Sequence, residues 1–331
     1  MGEVREQLEM FGLEGAKRLA HAAATSPRER SRMVRRVETA HEIMMAVPSG
    51  DELSFLHSGL CQTCLPHSRP ADSRAPWERR SGRFSLTVLP GGLDRGQGFE
   101  YVGVPYGPKA RLILIYLQTE GMRSRTVSLG ASFSAFLRSL GLAVTGGKRG
   151  TISAVREQSL RISQCSFTMQ WSADTPAGKR AVVDNSRIVD RLELWRAGKD
   201  EWSEHVELSE RFHAHLREHA VPLDRRGIAH LSGTSLGLDV YTLLAYRLPR
   251  LERDIHLRWA ALQDQLGSAE KTTNTLAARI REVMPDVLTA YPHAKVELTP
   301  HGLLLKPSAP AVPKVTVRGF KLIENKEAGY L

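Results

Sequence analysis

The sequence has little cysteine and no long hydrophobic run. Its 331 residues include three cysteines, Cys61, Cys64 and Cys165, which are too few for a disulfide framework in a chain of this size. No stretch approaches the roughly 20 apolar residues that a membrane-spanning helix needs. The first residues mix acids and bases instead of following the basic-then-apolar order of a secretory signal. We therefore expect a cytoplasmic protein with reduced thiols.

The charge lies mainly in the middle of the chain. The net charge is +10, and residues 66–200 carry 21 basic and 11 acidic side chains. Residues 1–65 carry 8 and 9, and residues 201–331 carry 17 and 16, so both flanks are near neutral. A basic region between neutral ones indicates a surface for a polyanion, and nucleic acid is the partner that we expect.

The middle of the chain shows a characteristic order of helices and strands. Apolar residues fall at i, i+3, i+4 and i+7 from Phe133, on one helical face, and Gly141 is placed to end that helix. A basic turn, Thr145-Gly-Gly-Lys-Arg-Gly150, precedes a second helix, and residues 165–172 then alternate as in a strand. Helix, short strand, helix, turn, helix and hairpin is the plan of a winged helix.

The C-terminal third repeats this plan. Residues 254–267 and 271–288 are typical of helices, and residues 295–308 of a hairpin that turns near Gly302. We therefore predict an α+β fold with tandem winged-helix (helix-turn-helix) domains. In chain order the prediction is a helical N-terminal extension (1–47), a linker or arm (48–82), a basic winged-helix domain (83–200), a second winged-helix domain (201–310) and a flexible C-terminal tail (311–331).

Three stretches resemble a known family. They are VGVPYGPKARLILIYLQTEGMRSRTVSLG (102–130), SAFLRSLGL with VTGGKRGTI (134–152), and LDVYTLLAYRL (238–248). Over about residues 60–310 the chain resembles the plasmid-encoded RepA replication initiators. The resemblance implies a protein that binds repeated double-stranded DNA sites at a plasmid origin, recruits host replication factors such as a helicase, and represses its own promoter. It also implies tandem winged helices on DNA, one of which serves a homodimer.

The candidate DNA contacts lie at the start of each second helix, because a recognition helix enters the major groove by its N-terminal residues. In the first domain Arg149 is expected to read guanine and Lys148 to contact phosphate. The glycines of the turn are expected to let phosphate approach the backbone. The full first set is Lys148, Arg149, Thr151, Ser153 and Arg156, with Lys179 and Arg180 at the hairpin tip.

The second domain offers fewer basic candidates. Lys271, Asn274, Thr275 and Arg281 are predicted to project from its second helix, and Asn274 is suited to pair with adenine. This helix is poor in arginine for the family, and its domain is near neutral. The sequence therefore leaves open whether both domains read DNA.

Two other functions stay open. A winged-helix transcriptional regulator without a replication role would share the same DNA-reading surface. A rolling-circle DNA nickase would use paired metal-binding histidines, for which His213-Ala-His215 is the candidate. Such pairs lie on a strand, whereas these residues are typical of a helix. We therefore expect that the protein is not an enzyme.

Two motifs have the residue types of other sites. His57-x3-Cys61-x2-Cys64-x2-His67 contains zinc-binding side chains, but structural zinc sites separate two ligand pairs by a longer loop. Gly233-Thr-Ser235-Leu-Gly237 matches the nucleophile elbow of α/β-hydrolases, which needs a preceding strand; Ser235 is expected to cap a helix instead. We therefore expect neither a metal nor a cofactor.

Overall fold

Helices and antiparallel strands alternate along the chain. The computed structural model describes residues 4–94, 96, 98–175, 178–191, 204–267 and 272–317. The described helices are α1 (Val4–Ala23), α2 (Pro27–Met45), α3 (Ser58–Gln62), α4 (Gly107–Gly121), α5 (Phe133–Ser139), α6 (Thr151–Gln164), α7 (Glu210–His219), α8 (Arg225–Leu231), α9 (Ser235–Arg247), α10 (Trp259–Leu266) and α11 (Thr273–Ala290). None of them is long and apolar enough to cross a membrane.

The described strands are short, apart from one long hairpin. They are β1 (Leu53–His57), β2 (Trp77–Ser81), β3 (Phe84–Leu89), β4 (Gly92–Asp94), β5 (Phe99–Tyr101), β6 (Thr126–Ser128), β7 (Ser166–Thr175), β8 (Gly178–Ser186), β9 (Val189–Arg191), β10 (His205–Leu208), β11 (Ala220–Asp224), β12 (Ile255–Arg258), β13 (Val296–Thr299) and β14 (Gly302–Leu305). The mixture of helix and sheet confirms the predicted α+β class.

The chain divides into two compact units that are discontinuous in sequence. Unit 1 comprises residues 1–54, 222–259 and 272–331, and unit 2 comprises residues 55–221 and 260–271. The predicted division was instead sequential, with winged-helix domains over 83–200 and 201–310. Sequence periodicity reports local elements only, so it does not show which distant elements pack together.

Unit 2 contains two larger sheets beside the two-stranded pair of β4 and β5. In the first, β2, β3, β7 and β8 lie side by side in that order, and Leu86 and Phe167 alternate into a buried core. In the second, the order is β6, β10, β9, with Val127 opposite Val206. Helix α4 packs against α6. It is apolar on most sides and almost fully buried, as its sequence predicts.

Unit 1 combines helices with a small sheet. Its strands lie in the order β12, β14, β13, with Leu303 between Leu257 and Leu298. Helix α9 is buried almost throughout and packs on α11. Helices α1 and α2 form a hairpin that also packs on α11. The hairpin core includes Ala16, Val37 and Ala40, small residues that let two helices approach closely.

The N-terminal extension is two helices, where the sequence predicted helix over 1–47. The Ser26 hydroxyl accepts a hydrogen bond from the Glu29 N–H, at 3.2 Å, and Pro27 occupies the first turn. The Glu29 carboxylate in turn accepts from the Thr25 N–H, at 2.9 Å. These are the features of a helix N-terminus. Within α1, Gly12 has a φ of 64°, which kinks the helix.

The predicted linker over 48–82 contains ordered elements. Strand β1, helix α3 and strand β2 all lie in it, and β1 is buried along its length. The buried Arg111 of α4 donates to the carbonyl of Leu65, at 2.7 Å, and to that of Pro66, at 3.2 Å. The segment predicted as a linker or arm is therefore ordered and is held by hydrogen bonds to α4.

Two further predictions differ from the structure. Residues 254–267, predicted as one helix, divide into strand β12 and helix α10. In the predicted tail of 311–331, Val312 is buried, while residues 318–331 lie outside the described part of the chain. The long hairpin β7–β8 is present as predicted, but it pairs with β3, and the partner of β6 is β10.

Candidate nucleic-acid interface

Helices α5 and α6 are joined by the basic turn. Gly141 ends α5 with a φ of 71°; its N–H donates to Arg138 O and the Leu142 N–H donates to Leu137 O, both at 2.9 Å. This pair of hydrogen bonds is a Schellman motif, as the glycine predicted. Leu142 is buried beyond it, which fixes where the turn begins.

A threonine pair closes the turn. The Thr151 N–H donates to Thr145 Oγ1, at 2.9 Å, and the Thr145 N–H donates to Thr151 Oγ1, at 3.0 Å. The Thr151 hydroxyl donates to Ala143 O, at 2.5 Å, and the Ile152 N–H donates to Thr145 O, at 3.2 Å. Thr151 therefore fastens the turn, and two N–H groups at the start of α6 are already used. This leaves fewer backbone donors for a phosphate than the sequence suggested.

The glycines of the turn have different roles. A Cβ on Gly150 would lie 2.3 Å from the carbonyl oxygens of Thr145 and Gly146, so this residue is required by the turn itself. Gly147 has a φ of 82°, which favours glycine, and a Cβ on it or on Gly146 would meet nothing within 4 Å. The open side of the turn is therefore at Gly146 and Gly147.

The charged candidates of the first set are exposed. Lys148 and Arg149 lie in the turn, and Ser153 follows on the exposed face of α6. The Arg156 guanidinium lies 5.2 Å from the centre of the Phe133 ring, one turn further along. Val155, Gln158 and Ile162 occupy the buried face. The structure thus brings Lys148, Arg149, Ser153 and Arg156 to the exposed start of one helix.

The two hairpin candidates lie beside the tip of β7–β8. Lys179 is opposite Asp174 and Arg180 is opposite Ala173 in the ladder. The hairpin tip itself, residues 176 and 177, lies outside the described residues. The backbone position agrees with the predicted place of both residues.

The second set is less concentrated. Lys271 lies outside the described residues, and Asn274 is exposed in the first turn of α11. Thr272 caps that helix, accepting from the Thr275 N–H at 3.3 Å, and the two hydroxyls are 3.0 Å apart. The Arg281 guanidinium lies 5.2 Å from the centre of the Trp259 ring. Thr275 and Arg281 therefore have partners within their own unit.

One residue on α6 was not recognised from sequence. Glu157 is bound by Arg69 and by Arg161, the latter at 3.0 Å, and it accepts from the Tyr106 hydroxyl at 3.3 Å. Burial acts to raise the pKa of Glu157, but the hydrogen bonds and charges of the two arginines outweigh it, and the pKa is lowered. Arg69 is 88 residues away in sequence, so no local pattern could have shown this contact.

The paired histidines lie on a helix, as predicted. His213 and His215 belong to α7, and His215 Nδ1 lies 2.8 Å from His57 Nε2. The Gly59 N–H donates to His57 Nδ1, at 3.0 Å, which places the His57 proton on Nε2. His57, the first residue of the zinc-like motif, therefore directs its other nitrogen at His215. The His57 ring also lies against the rings of Trp171 and His219.

The hydrolase-like serine lies in a different setting from a nucleophile elbow. Helix α8, not a strand, precedes it. Thr234 caps α9, its hydroxyl accepting from the Gly237 N–H at 3.2 Å, and Ser235 is buried in the first turn. The predicted cap at Ser235 is thus one residue off, because Thr234 carries an equivalent hydroxyl.

These features define an α+β protein in which a basic turn joins two helices of one unit. Residues 104–262 match the family model described as plasmid encoded RepA protein, which confirms the predicted resemblance over α4 to α6 and on into α10. Among solved structures, the chain is similar to the one described as "Crystal structure of SeMet derivatives of domain2 and domain 3 of RctB". The sequence identity is 14% and the TM-score is 0.44, and the match covers 68% of this chain and 82% of that chain. Comparison with curated proteins gives no match.

Proposed function

We propose that this RepA-family protein initiates plasmid replication by binding repeated double-stranded DNA sites at the origin. The observation that carries the proposal is the family match over residues 104–262, which includes the α5–turn–α6 segment. Lys148 and Arg149 are exposed in the turn of that segment, where a recognition helix would meet the major groove. Binding at the promoter of its own gene, and so autoregulation, belongs to the same proposal.

Strand topology supports a winged-helix plan in both parts of the chain. Helix α4, strand β6, helices α5 and α6, and strands β9 and β10 follow one order, with the β7–β8 hairpin inserted after α6. Helix α9, strand β12, helices α10 and α11, and strands β13 and β14 follow the same order. In both sheets the last strand lies in the middle: β6-β10-β9 and β12-β14-β13.

The two second helices have different tasks in this proposal. Helix α6 reads bases, with Arg149 as the side chain that selects guanine and Lys148 as a phosphate contact. Helix α11 contributes less, since helices α1 and α2 pack on it within unit 1. The protein performs no chemistry itself in this account, and host replication factors such as a helicase, and a second copy of the chain, are its expected partners.

Selection of bound duplexes from sheared DNA of its own replicon, at near-physiological salt, tests the proposal. We expect enrichment of one segment with direct repeats, and loss of plasmid copy number when the gene is deleted. Enrichment of a single inverted repeat at its own promoter, with copy number unchanged, would establish the alternative of a transcriptional regulator. Salt-sensitive bulk binding without enrichment would contradict both.

A further inference from the structure

Arginines lie over aromatic rings in unit 2, and the pairs at Tyr101 and Tyr106 form a strip beside α6. The Arg79 guanidinium lies 3.7 Å from the centre of the Trp77 ring, and Arg74 lies 5.8 Å from that of Tyr101. Arg69 and Arg161 lie 5.8 and 5.0 Å from the Tyr106 ring. Four such pairs involve a segment of about 40 residues, against roughly one significant pair per 70–80 residues in proteins generally. The strip therefore concentrates flat guanidinium and aromatic groups.

The strip ends in two exposed rings. Phe99 is 62% exposed and Tyr101 is 43% exposed, and both lie on one face of β5 because they are two residues apart. Their ring centres are 5.2 Å apart and the planes are nearly perpendicular, at 89°. Large aromatic side chains at this exposure are unusual, because each leaves a hydrophobic surface in water.

The backbone holds these rings in place. Gly92 is opposite Tyr101 in the β4–β5 ladder, and a Cβ on Gly92 would lie 2.7 Å from the Phe99 ring. The Val102 N–H donates to Gly91 O at 3.0 Å, which fixes the strand that carries both rings. The backbone of the β4–β5 hairpin therefore holds both rings on one defined outer face.

We infer that this strip, from Tyr106 through Tyr101 to Phe99, binds single-stranded DNA. Exposed rings on which bases stack, combined with arginine, form the usual binding surface for single strands, and this stacking tolerates any sequence. Arg74 supplies positive charge beside the Tyr101 ring for the phosphate backbone. The inference rests on the proposed function only for its setting, since an initiator must act where origin strands separate.

The test is fluorescence anisotropy of a labelled 20-nucleotide oligo(dT) titrated with the full-length protein. Phe99→Leu and Tyr101→Leu keep apolar side chains of similar size but remove the ring faces. We expect each to weaken oligo(dT) binding about 5- to 150-fold, while Tyr101→Phe binds as the wild type does. Arg74→Gln should reduce the salt slope by about 0.7.

Matched controls separate this surface from the double-strand site. Phe11→Leu changes a ring that is 55% exposed in unit 1 and should leave oligo(dT) binding unchanged. Each variant is also measured on the selected duplex, where Phe99→Leu and Tyr101→Leu should bind as wild type. Loss of duplex selectivity with oligo(dT) binding retained would contradict the proposed function alone.

Three results would overturn the inference itself. The first is a wild-type protein that does not bind oligo(dT), or whose bound oligo(dT) is fully displaced by random duplex. Equal losses in the Phe11→Leu control, or unchanged oligo(dT) binding in the Phe99→Leu and Tyr101→Leu double variant, would also contradict it. Circular dichroism of each variant verifies that the fold is retained.

Discussion

Helices α6 and α11 hold the same place in the element order but begin differently. Helix α6 follows an exposed glycine-rich turn that carries Lys148 and Arg149. Helix α11 begins at a threonine cap, and within unit 1 helices α1 and α2 pack on it. Helix α6 thus begins at a basic, exposed turn, whereas α11 begins at a capping threonine and is covered by two helices of its own unit. The comparison teaches that element order alone does not assign a DNA-reading role.

An ion pair also holds α11 to its neighbours in unit 1. On α11, Asp286 accepts two hydrogen bonds from Arg36 of α2, at 2.6 and 2.7 Å, and lies 3.0 Å from His230 Nε2. Burial acts to raise the pKa of Asp286, but the hydrogen bonds from Arg36 and His230 outweigh it and hold the pKa well below its usual range. This carboxylate fastens α2 and α8 to α11.

The largest expected effect is the acid sensitivity of unit 2. Burial and the neighbouring His215 and His219 lower the pKa of His57 to about 3. The unfolded chain binds this proton near pH 6.5 and the folded chain does not, so stability falls as pH decreases from 6.5 towards 3. Between pH 6.5 and 4 the loss attributable to His57 is about 3 kcal/mol.

Urea unfolding followed by tryptophan fluorescence measures this loss, because Trp171 lies beside His57. His57→Gln retains an acceptor for Gly59 and a donor for His215 but does not titrate, so its pH slope should be flatter. His256→Gln, at an exposed histidine of unit 1, is the control and should keep the wild-type slope. Equal slopes for wild type and His57→Gln would refute the explanation.

Asp286→Ala should have the next largest effect, on unit 1. The change leaves Arg36, whose side chain is 11% exposed, without its carboxylate. A broken buried pair costs about 3–5 kcal/mol, and the partial exposure of Asp286 reduces this to about 2–3 kcal/mol. Glu9→Ala, which breaks the exposed pair with Arg5, should cost less than about 1 kcal/mol. A cost as small for Asp286→Ala would mean that α11 is not fastened in this way.

Gly150→Ala should have a smaller effect, in the basic turn. Its Cβ would overlap the Thr145 and Gly146 carbonyl oxygens, so the turn must shift at a cost of about 1–2 kcal/mol. Duplex affinity should fall with it, because Lys148 and Arg149 move. Gly146→Ala is the matched control, since its Cβ meets nothing within 4 Å. If both variants melt and bind alike, Gly150 is not required by the turn.

Much of the local structure could be predicted from the sequence. The apolar face from Phe133 and the glycine at 141 predict α5 and its end. The three stretches that resemble the RepA initiators predict the family match over residues 104–262. The start of α2 also had a local signal, Ser26-Pro27 followed by Glu29, which the prediction of a helical extension over 1–47 did not use.

The rest depends on contacts between distant residues. The pairing of Val127 with Val206 and the binding of Glu157 by Arg69 join residues about 80 apart. Short strands such as β6 and β10 carry too few residues for their partner to be read from periodicity. The segment predicted as a linker or arm is another example, because the buried Arg111 holds it through hydrogen bonds to the carbonyls of Leu65 and Pro66.

The most direct test of the central claim compares the two helices on the selected duplex. Salt-dependent affinity is measured for Lys148→Ala and Arg149→Ala, for Asn274→Ala and Arg281→Ala, and for the exposed control Arg30→Ala on α2. We predict that Lys148→Ala lowers the salt slope by about one and that Arg149→Ala loses about 1–3 kcal/mol together with site preference. The α11 variants should stay within about 0.5 kcal/mol of wild type, as surface changes usually do. Wild-type binding by both α6 variants, or losses confined to the α11 variants, would contradict the account.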